Sequence, residues 1–85
     1  MIVGLQIRAA RAMLRWTAAE LGRKAGVSLP TIQRIERFDG VPTSRGDTLS
    51  RIEDALMAGG IEFIGGSTEA PGVRWHGELG SKSSR

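Results

Sequence analysis

The first fifteen residues have the apolar spacing of an amphipathic helix. Apolar side chains recur three or four positions apart, at Val3, Ile7, Ala10 and Leu14. Residues with this spacing share one face of an α-helix, because the helix turns once every 3.6 residues or so. The pattern therefore predicts a helix over residues 3–15 with one buried face.

Two further helices are predicted with a short turn between them. Residues 17–20, Thr-Ala-Ala-Glu, have the capping-box pattern, in which a threonine hydroxyl and a glutamate satisfy free amides at a helix start. Gly26 ends that helix, because glycine adopts the left-handed conformation at little cost. Ser28 as N-cap and Pro30 in the first turn predict a third helix over residues 28–37. The pair is a helix-turn-helix or, less specifically, a helical hairpin of a bundle.

The last third of the chain changes from a helical to a partly alternating pattern. Residues 48–58 predict a fourth helix, capped by Asp47 or Thr48. Residues 61–64 and 73–75 are rich in β-branched and aromatic side chains, which favour strands and predict a β-hairpin. The whole pattern predicts a mainly α fold, a compact bundle of four or five helices with a short C-terminal β-hairpin.

The predicted elements divide the chain into three parts. They are a helical domain at residues 1–60, a hairpin at residues 61–76 and a tail at residues 77–85. A chain of 85 residues has room for one small domain. The tail is small and polar, and we expect it to be disordered.

Composition excludes several classes of site. The chain has no cysteine, so it has no disulfide, no thiolate zinc site and no cysteine nucleophile. Its one histidine, His76, has no second ligand at metal spacing. We therefore expect no metal, no cofactor and no enzymatic activity. No apolar run approaches the roughly 18–20 residues of a membrane span, and the N-terminus lacks a signal-peptide pattern, so we expect a cytoplasmic protein.

Charge is distributed unevenly along the chain. The net charge is +3, yet residues 1–45 carry eight basic and three acidic side chains, whereas residues 46–85 carry four and six. A basic first half suits a polyanion such as nucleic acid. Charge alone is equally compatible with a solvated helical surface.

Residues 17–36, TAAELGRKAGVSLPTIQRIE, carry a combination of motifs with a family resemblance. They contain a polar cap, an acidic-leucine step, an Ala-Gly-Val-Ser turn, then Thr-Ile and a glutamate. On these motifs residues 6–58 resemble the Cro/cI-type (XRE-like) helix-turn-helix family of phage repressors and their bacterial relatives. The resemblance implies a lambda-repressor-like fold that binds double-stranded DNA.

The resemblance also implies roles for individual residues. The start of the second helix of a helix-turn-helix lies at the base edges in the major groove, and the residues there are Ser28, Leu29, Pro30, Thr31, Gln33 and Arg34. Contacts to the DNA backbone are expected from Thr17, Arg37, Thr43 and Arg45. Glu36 matches a family glutamate that pairs with an arginine of the first helix, here Arg11, in a structural ion pair.

One position departs from the family pattern. Many relatives carry a glutamine just after the cap of the second helix, where it contacts a phosphate and braces the base-contacting helix. This chain has Ala18 there. The phosphate contact is therefore missing or is supplied by another residue.

The predicted hairpin carries much apolar surface for its size, at Ile61, Phe63, Ile64, Val73 and Trp75. An isolated two-stranded hairpin is only marginally stable in water. It must pack on its own helices or pair with a second copy across a two-fold axis. We expect these five residues to form a homodimer interface, with packing on the chain's own helices as the alternative.

These observations favour a DNA-binding transcriptional regulator. We expect a dimeric repressor that binds an inverted-repeat operator through residues 28–37. The alternative is a protein-binding module on the same fold, an antitoxin or antiactivator that contacts its protein partner through the apolar hairpin.

Overall fold

Four helices followed by two strands make up the part of the chain that the computed structural model describes, which is residues 1–42, 44 and 46–77. The elements are α1 (Gly4–Leu14), α2 (Ala18–Ala25), α3 (Leu29–Glu36), α4 (Gly46–Ala58), β1 (Ile61–Ile64) and β2 (Gly72–Trp75). The mainly helical fold with a C-terminal hairpin is confirmed. The predicted tail lies outside the described residues from residue 78 onward.

The ends of α2 and α3 form as the capping signals predict. The Thr17 hydroxyl accepts a hydrogen bond from the Glu20 amide at 3.0 Å, and the Glu20 carboxylate accepts one from the Thr17 amide at 2.7 Å. The bond from the Thr17 amide lowers the pKa of Glu20. Gly26 ends α2 with a left-handed φ of 71°, and Ser28 caps α3.

The predicted start of α4 was wrong by two residues. The helix begins at Gly46 rather than at Thr48, so Asp47 lies in its first turn instead of at the cap. A carboxylate in the first turn is favourable, because the helix dipole places partial positive charge there. The second strand similarly starts at Gly72, one residue before the predicted Val73.

The core lies between the four helices and the first strand. The most deeply buried large side chains come from every helix, since Ile7, Leu21, Ile32, Ile35, Ile52 and Leu56 are all fully buried. Ile61 extends the same cluster into β1. The apolar stripes seen in the sequence are thus the faces that meet in the core.

The hairpin packs on the helices of its own chain. Its strands are antiparallel, with Ile61 opposite Trp75 and Phe63 opposite Val73. Ile61 is buried, and the other three are partly buried against the core, with β2 over α1 and β1 over α4. The apolar face of the hairpin therefore packs on the chain's own helices, as in the alternative to a dimer interface. Of the five residues expected at a dimer interface, Ile64 is exposed.

A buried glutamine, which no sequence pattern indicated, joins α1 to the hairpin. Gln6 is 1% exposed. Its amide nitrogen donates to the carbonyl oxygens of Ile64 at 2.9 Å and Gly72 at 3.0 Å, and its amide oxygen accepts from the Val3 amide at 2.9 Å. One side chain therefore satisfies backbone groups of α1 and of both strands, which fixes where the hairpin docks.

Gln6→Met should lower the free energy of unfolding by about 1–2 kcal/mol, because it keeps the volume but leaves two strand carbonyls without their donor. Urea denaturation measures the change. The matched control is Gln33→Met, since Gln33 is exposed on α3 and its replacement should leave stability within about 0.5 kcal/mol. Equal stability of the two variants would contradict the role assigned to Gln6.

Candidate nucleic-acid interface

The α2–α3 unit is held together by a close turn. The Val27 amide donates to the Gly22 carbonyl at 2.8 Å. A Cβ at Gly22 would lie 2.5 Å from the Val27 carbonyl oxygen, so glycine is required there for the two helices to approach. Leu21 of α2 and Ile32 of α3 are fully buried beneath the turn. The geometry of the unit is therefore set by packing as well as by its caps.

The outward side of α3 presents the residues expected to contact bases. Ile32 and Ile35 face the core, whereas the opposite side exposes Leu29, Pro30, Gln33 and Arg34. Ser28 and Thr31 lie at the start of the helix, where the Ser28 hydroxyl bonds the Thr31 hydroxyl at 2.9 Å and accepts from the Thr31 amide at 3.4 Å. The structure thus gives α3 one buried side and one accessible side, and all six candidates lie at its start or on its accessible side.

Two of the four residues expected to contact the DNA backbone lie at helix ends. Thr17 is the N-cap of α2 and is exposed, although its hydroxyl already accepts from Glu20. Arg37 is the C-cap of α3 and is exposed. Thr43 and Arg45 lie outside the described residues.

Arg11 connects three elements of the domain. Its guanidinium makes a bidentate ion pair with Glu36, through Nε to Oε2 at 2.9 Å and Nη2 to Oε1 at 2.8 Å. A third bond runs from Nη1 to the Trp16 carbonyl oxygen at 3.0 Å, just before α2. The hydrogen bond with Glu36 raises the pKa of Arg11. Because Glu36 is the last residue of α3, Arg11 ties α1 to the end of α3 and to the start of α2.

Arg8 makes a second connection between α1 and α3, which the sequence analysis did not single out. Its guanidinium donates to the Glu36 carbonyl oxygen and to the Asp39 carboxylate. Arg8 lies three residues before Arg11 and therefore on a neighbouring part of the same helix face, a signal that could have identified it. Together the two arginines hold the C-terminal end of α3 against α1.

The segment after α3 is also bonded to the first turn of α1. The Gly4 amide donates to the Gly40 carbonyl at 2.8 Å, and the Leu5 amide donates to the Asp39 carbonyl at 3.2 Å. The free amides at the start of α1 are therefore satisfied by this loop rather than by solvent. The loop that follows α3 thus has a defined position relative to α1.

The structure places a small, half-buried side chain at the position that departs from the family pattern. Ala18 is the first residue of α2 and carries no polar group. The nearest cation along the chain before it is Arg15, which is exposed and ends α1 with a left-handed φ of 60°. Lys24 at the other end of α2 lies over the Trp16 ring, 4.9 Å from its centroid.

The described residues contain neither a metal-ion cluster nor a membrane-spanning helix. Within residues 1–42, 44 and 46–77, no three acidic or histidine side chains gather to hold a metal ion. His76 instead lies 2.7 Å from the Glu62 carboxylate on the outer side of the hairpin. The same residues include no helix long and apolar enough to cross a membrane.

Comparison with known proteins gives one family match. A family model described as helix-turn-helix matches residues 7–56, which is more than half of the chain. A search of curated proteins found no match. The matched residues run from the second turn of α1 into α4 and include the Arg11–Glu36 pair and the whole α2–α3 unit.

Proposed function

This chain belongs to the Cro/cI-type (XRE) helix-turn-helix family and is a DNA-binding regulator of that type, and we propose that it represses transcription as a dimer on an inverted-repeat operator. Residues 28–37, which contain α3, lie in the major groove in this proposal. The observation that carries it is the accessible side of α3. That side carries the polar side chains of Gln33 and Arg34, and the opposite side of the helix is buried, which fixes the orientation of α3.

Sequence preference is assigned to the first turns of α3. An arginine can make a bidentate contact to guanine O6 and N7, and a glutamine can do so with adenine N6 and N7, which suits Arg34 and Gln33. Leu29 and Pro30 offer apolar contacts to a thymine methyl group. Ser28 and Thr31 are proposed at the same edge, near the N-terminal end of the helix.

Affinity is assigned mainly to phosphate contacts. Half to two-thirds of the hydrogen bonds in protein–DNA complexes go to phosphate and sugar, and they set the register without giving specificity. We assign this role to Thr17, Arg37, Thr43 and Arg45. The first half of the chain has an excess of basic residues, and their summed charge attracts a polyanion such as DNA. This excess supports the proposed phosphate contacts.

Less apolar surface is available for the protein-binding alternative than the hairpin sequence suggests. It required an available apolar surface on the hairpin, and most of that surface packs against α1 and α4. The outer face of the hairpin instead carries a Glu62–Arg74 ion pair at 3.1 Å.

The proposal is tested by comparing two exposed arginines three residues apart. Arg34→Ala should lose about 1–3 kcal/mol of binding free energy on the operator, obtained beforehand by selection from random duplexes, and should relax the preference at one base pair. Arg37→Ala should weaken binding to all sequences alike and reduce the salt slope by about one. Fluorescence anisotropy over a salt series, on operator and on random duplex, measures both.

The wild-type chain should lose affinity steeply with salt, by about 0.9 log unit per log unit for each phosphate contacted. Absence of binding at low salt would contradict the DNA-binding function. An unchanged base preference in Arg34→Ala would contradict the proposed placement of α3.

A further inference from the structure

The solvent-facing side of α1 is apolar along its whole length. At about 100° per residue, Leu5, Ala9, Ala12 and Met13 fall within one sector of about 100° of the helix circumference. Leu5 and Met13 are each 44% exposed, Ala12 is exposed and Ala9 is half-buried. We call these four residues the α1 strip. It contains no charged or polar side chain.

No other face of the described helices has this character. On α4, exposed Met57 follows Glu53 by four residues and Asp54 by three, so its neighbours on the helix surface are charged. A single exposed apolar side chain is ordinary on a protein surface. A helix that is apolar on its outer side as well as its inner side is typical of a helix with a partner on both sides. The α1 strip is therefore the surface of this chain best suited to a partner.

We propose that the α1 strip pairs with the α1 strip of a second copy of this chain. Leu5, Ala9 and Met13 are spaced by four residues, so two large side chains lie symmetrically about a small one. In an antiparallel pair whose two-fold axis passes beside Ala9, Leu5 of each copy lies opposite Met13 of the other. The alanines let the two helices approach closely, and the flanking large side chains fill the space on either side.

The surroundings of the strip fit this arrangement. On one side of the strip, Gly4, Arg8 and Arg11 contact the end of α3 and the loop after it. On the other side, Gln6 contacts the hairpin. A two-fold axis perpendicular to an antiparallel helix pair keeps like sides together, so both α3 helices lie on the same side of the dimer. One DNA duplex can then contact both, a step that rests on the proposed function.

The expected strength follows from the size of the surface. A standard interface buries about 800 Å² per partner, and four side chains of one helix cover only part of that. Phe38 and Val41 are also exposed apolar residues, and they flank the Asp39–Gly40 segment that is bonded to the first turn of α1, where Leu5 lies. We therefore expect a dimer with a dissociation constant in the micromolar range rather than an obligate one.

The test compares the same substitution at two methionines. Met13 is the penultimate residue of α1 and Met57 is the penultimate residue of α4, and they are 44% and 53% exposed. A glutamate at either site has the same cost against the helix dipole. Met13→Glu should raise the dimer dissociation constant at least about tenfold, because it buries a charge in the interface, whereas Met57→Glu should change it less than about twofold.

Sedimentation equilibrium without DNA measures these constants, so the result does not depend on whether DNA binding is confirmed. Leu5→Glu should weaken association as Met13→Glu does, since the axis places the two residues opposite each other. Position 5 lies in the first turn of α1, where the helix dipole favours a glutamate. Leu5→Glu should therefore weaken association without unfolding the chain. Circular dichroism checks the fold of each variant.

A single introduced cysteine tests the symmetry itself. The chain has no cysteine of its own. Ala9→Cys should cross-link to a dimer with a short bifunctional maleimide, whereas Ala19→Cys, on the exposed side of α2, should not. A wild-type chain that stays monomeric at high micromolar concentration would overturn the proposal and leave the strip to a different protein. A dimer that is unaffected by Met13→Glu, or that is cross-linked through residue 19 instead of residue 9, would also overturn it.

Discussion

Glu36→Ala is expected to lower the free energy of unfolding by about 2–4 kcal/mol. Glu36 is 8% exposed and accepts both bonds of the bidentate pair with Arg11. Its removal leaves a largely enclosed guanidinium without a counter-charge, which costs more than the pair itself contributes. Arg11 keeps some contact with solvent, so the expected value lies below that of a fully enclosed pair.

Thermal and urea denaturation measure this loss, and a domain of this size should melt about 4–8 °C lower for each kcal/mol. Asp54→Ala is the control, because Asp54 is exposed on α4 and its loss should change stability by less than about 0.5 kcal/mol. The double variant Arg11→Met, Glu36→Leu should be more stable than either single variant, since it leaves no unpaired charge. A double variant that loses the sum of the two single losses would contradict the coupling.

The same pair should matter for DNA binding beyond its effect on stability. Arg11 also bonds the carbonyl that precedes α2, so it sets α2 and α3 relative to α1. In conditions where Glu36→Ala remains folded, we expect weaker binding to the proposed operator, because α2 and α3 lose the arginine contact that positions both of them on α1. Anisotropy at low temperature measures this separately from unfolding.

Gly4→Ala is expected to destabilise the fold by about 2–3 kcal/mol, although alanine usually stabilises a helix relative to glycine. A Cβ on residue 4 would lie 1.9 Å from the Phe38 carbonyl oxygen and 2.9 Å from the Ile35 carbonyl oxygen. Both obstacles are backbone atoms, so no side chain can move aside. The substitution must push α1 away from the end of α3, which also breaks the bond from the Gly4 amide to Gly40.

Gly46→Ala is the matched control for that clash. Gly46 is the first residue of α4, as Gly4 is of α1, but a Cβ there meets no atom within 4 Å. The gain in helix propensity is then unopposed, and we expect stability to rise by up to about 1 kcal/mol. If chemical denaturation showed that both variants change the free energy of unfolding in the same direction, the close contact of α1 with the loop after α3 would be contradicted.

The helical part of the fold was predictable because its signals are local. The Thr17–Glu20 capping box, the stop at Gly26 and the Ser28 cap each depend on residues within a few positions of one another. The apolar stripes predicted which faces enter the core, and Ile7, Ile32 and Ile52 lie there. The error at the start of α4 arose because Asp47 suits both a cap and a first turn.

The candidate DNA residues could be proposed from the same local information. Once α3 is a helix with Ile32 and Ile35 inward, Gln33 and Arg34 must lie outward. The ion-pair partner of Glu36 could not be predicted from local patterns, because no spacing rule links Glu36 to a residue 25 positions earlier. It was the family resemblance that pointed to Arg11. Arg8 was not predicted, although its position three residues before Arg11 places it on a neighbouring part of the same helix face and could have identified it.

The sequence by itself thus determined the helices, their inward and outward faces and the family, since these follow from short-range periodicity and caps. Only the tertiary structure decided which apolar surfaces remain available. In the folded chain the inner face of the hairpin packs against α1 and α4, and Gln6 bonds backbone groups more than 50 positions away. The α1 strip remains exposed to solvent. Whether an apolar side chain is buried depends on which distant element packs against it. That packing is determined by the sum of contacts across the whole domain.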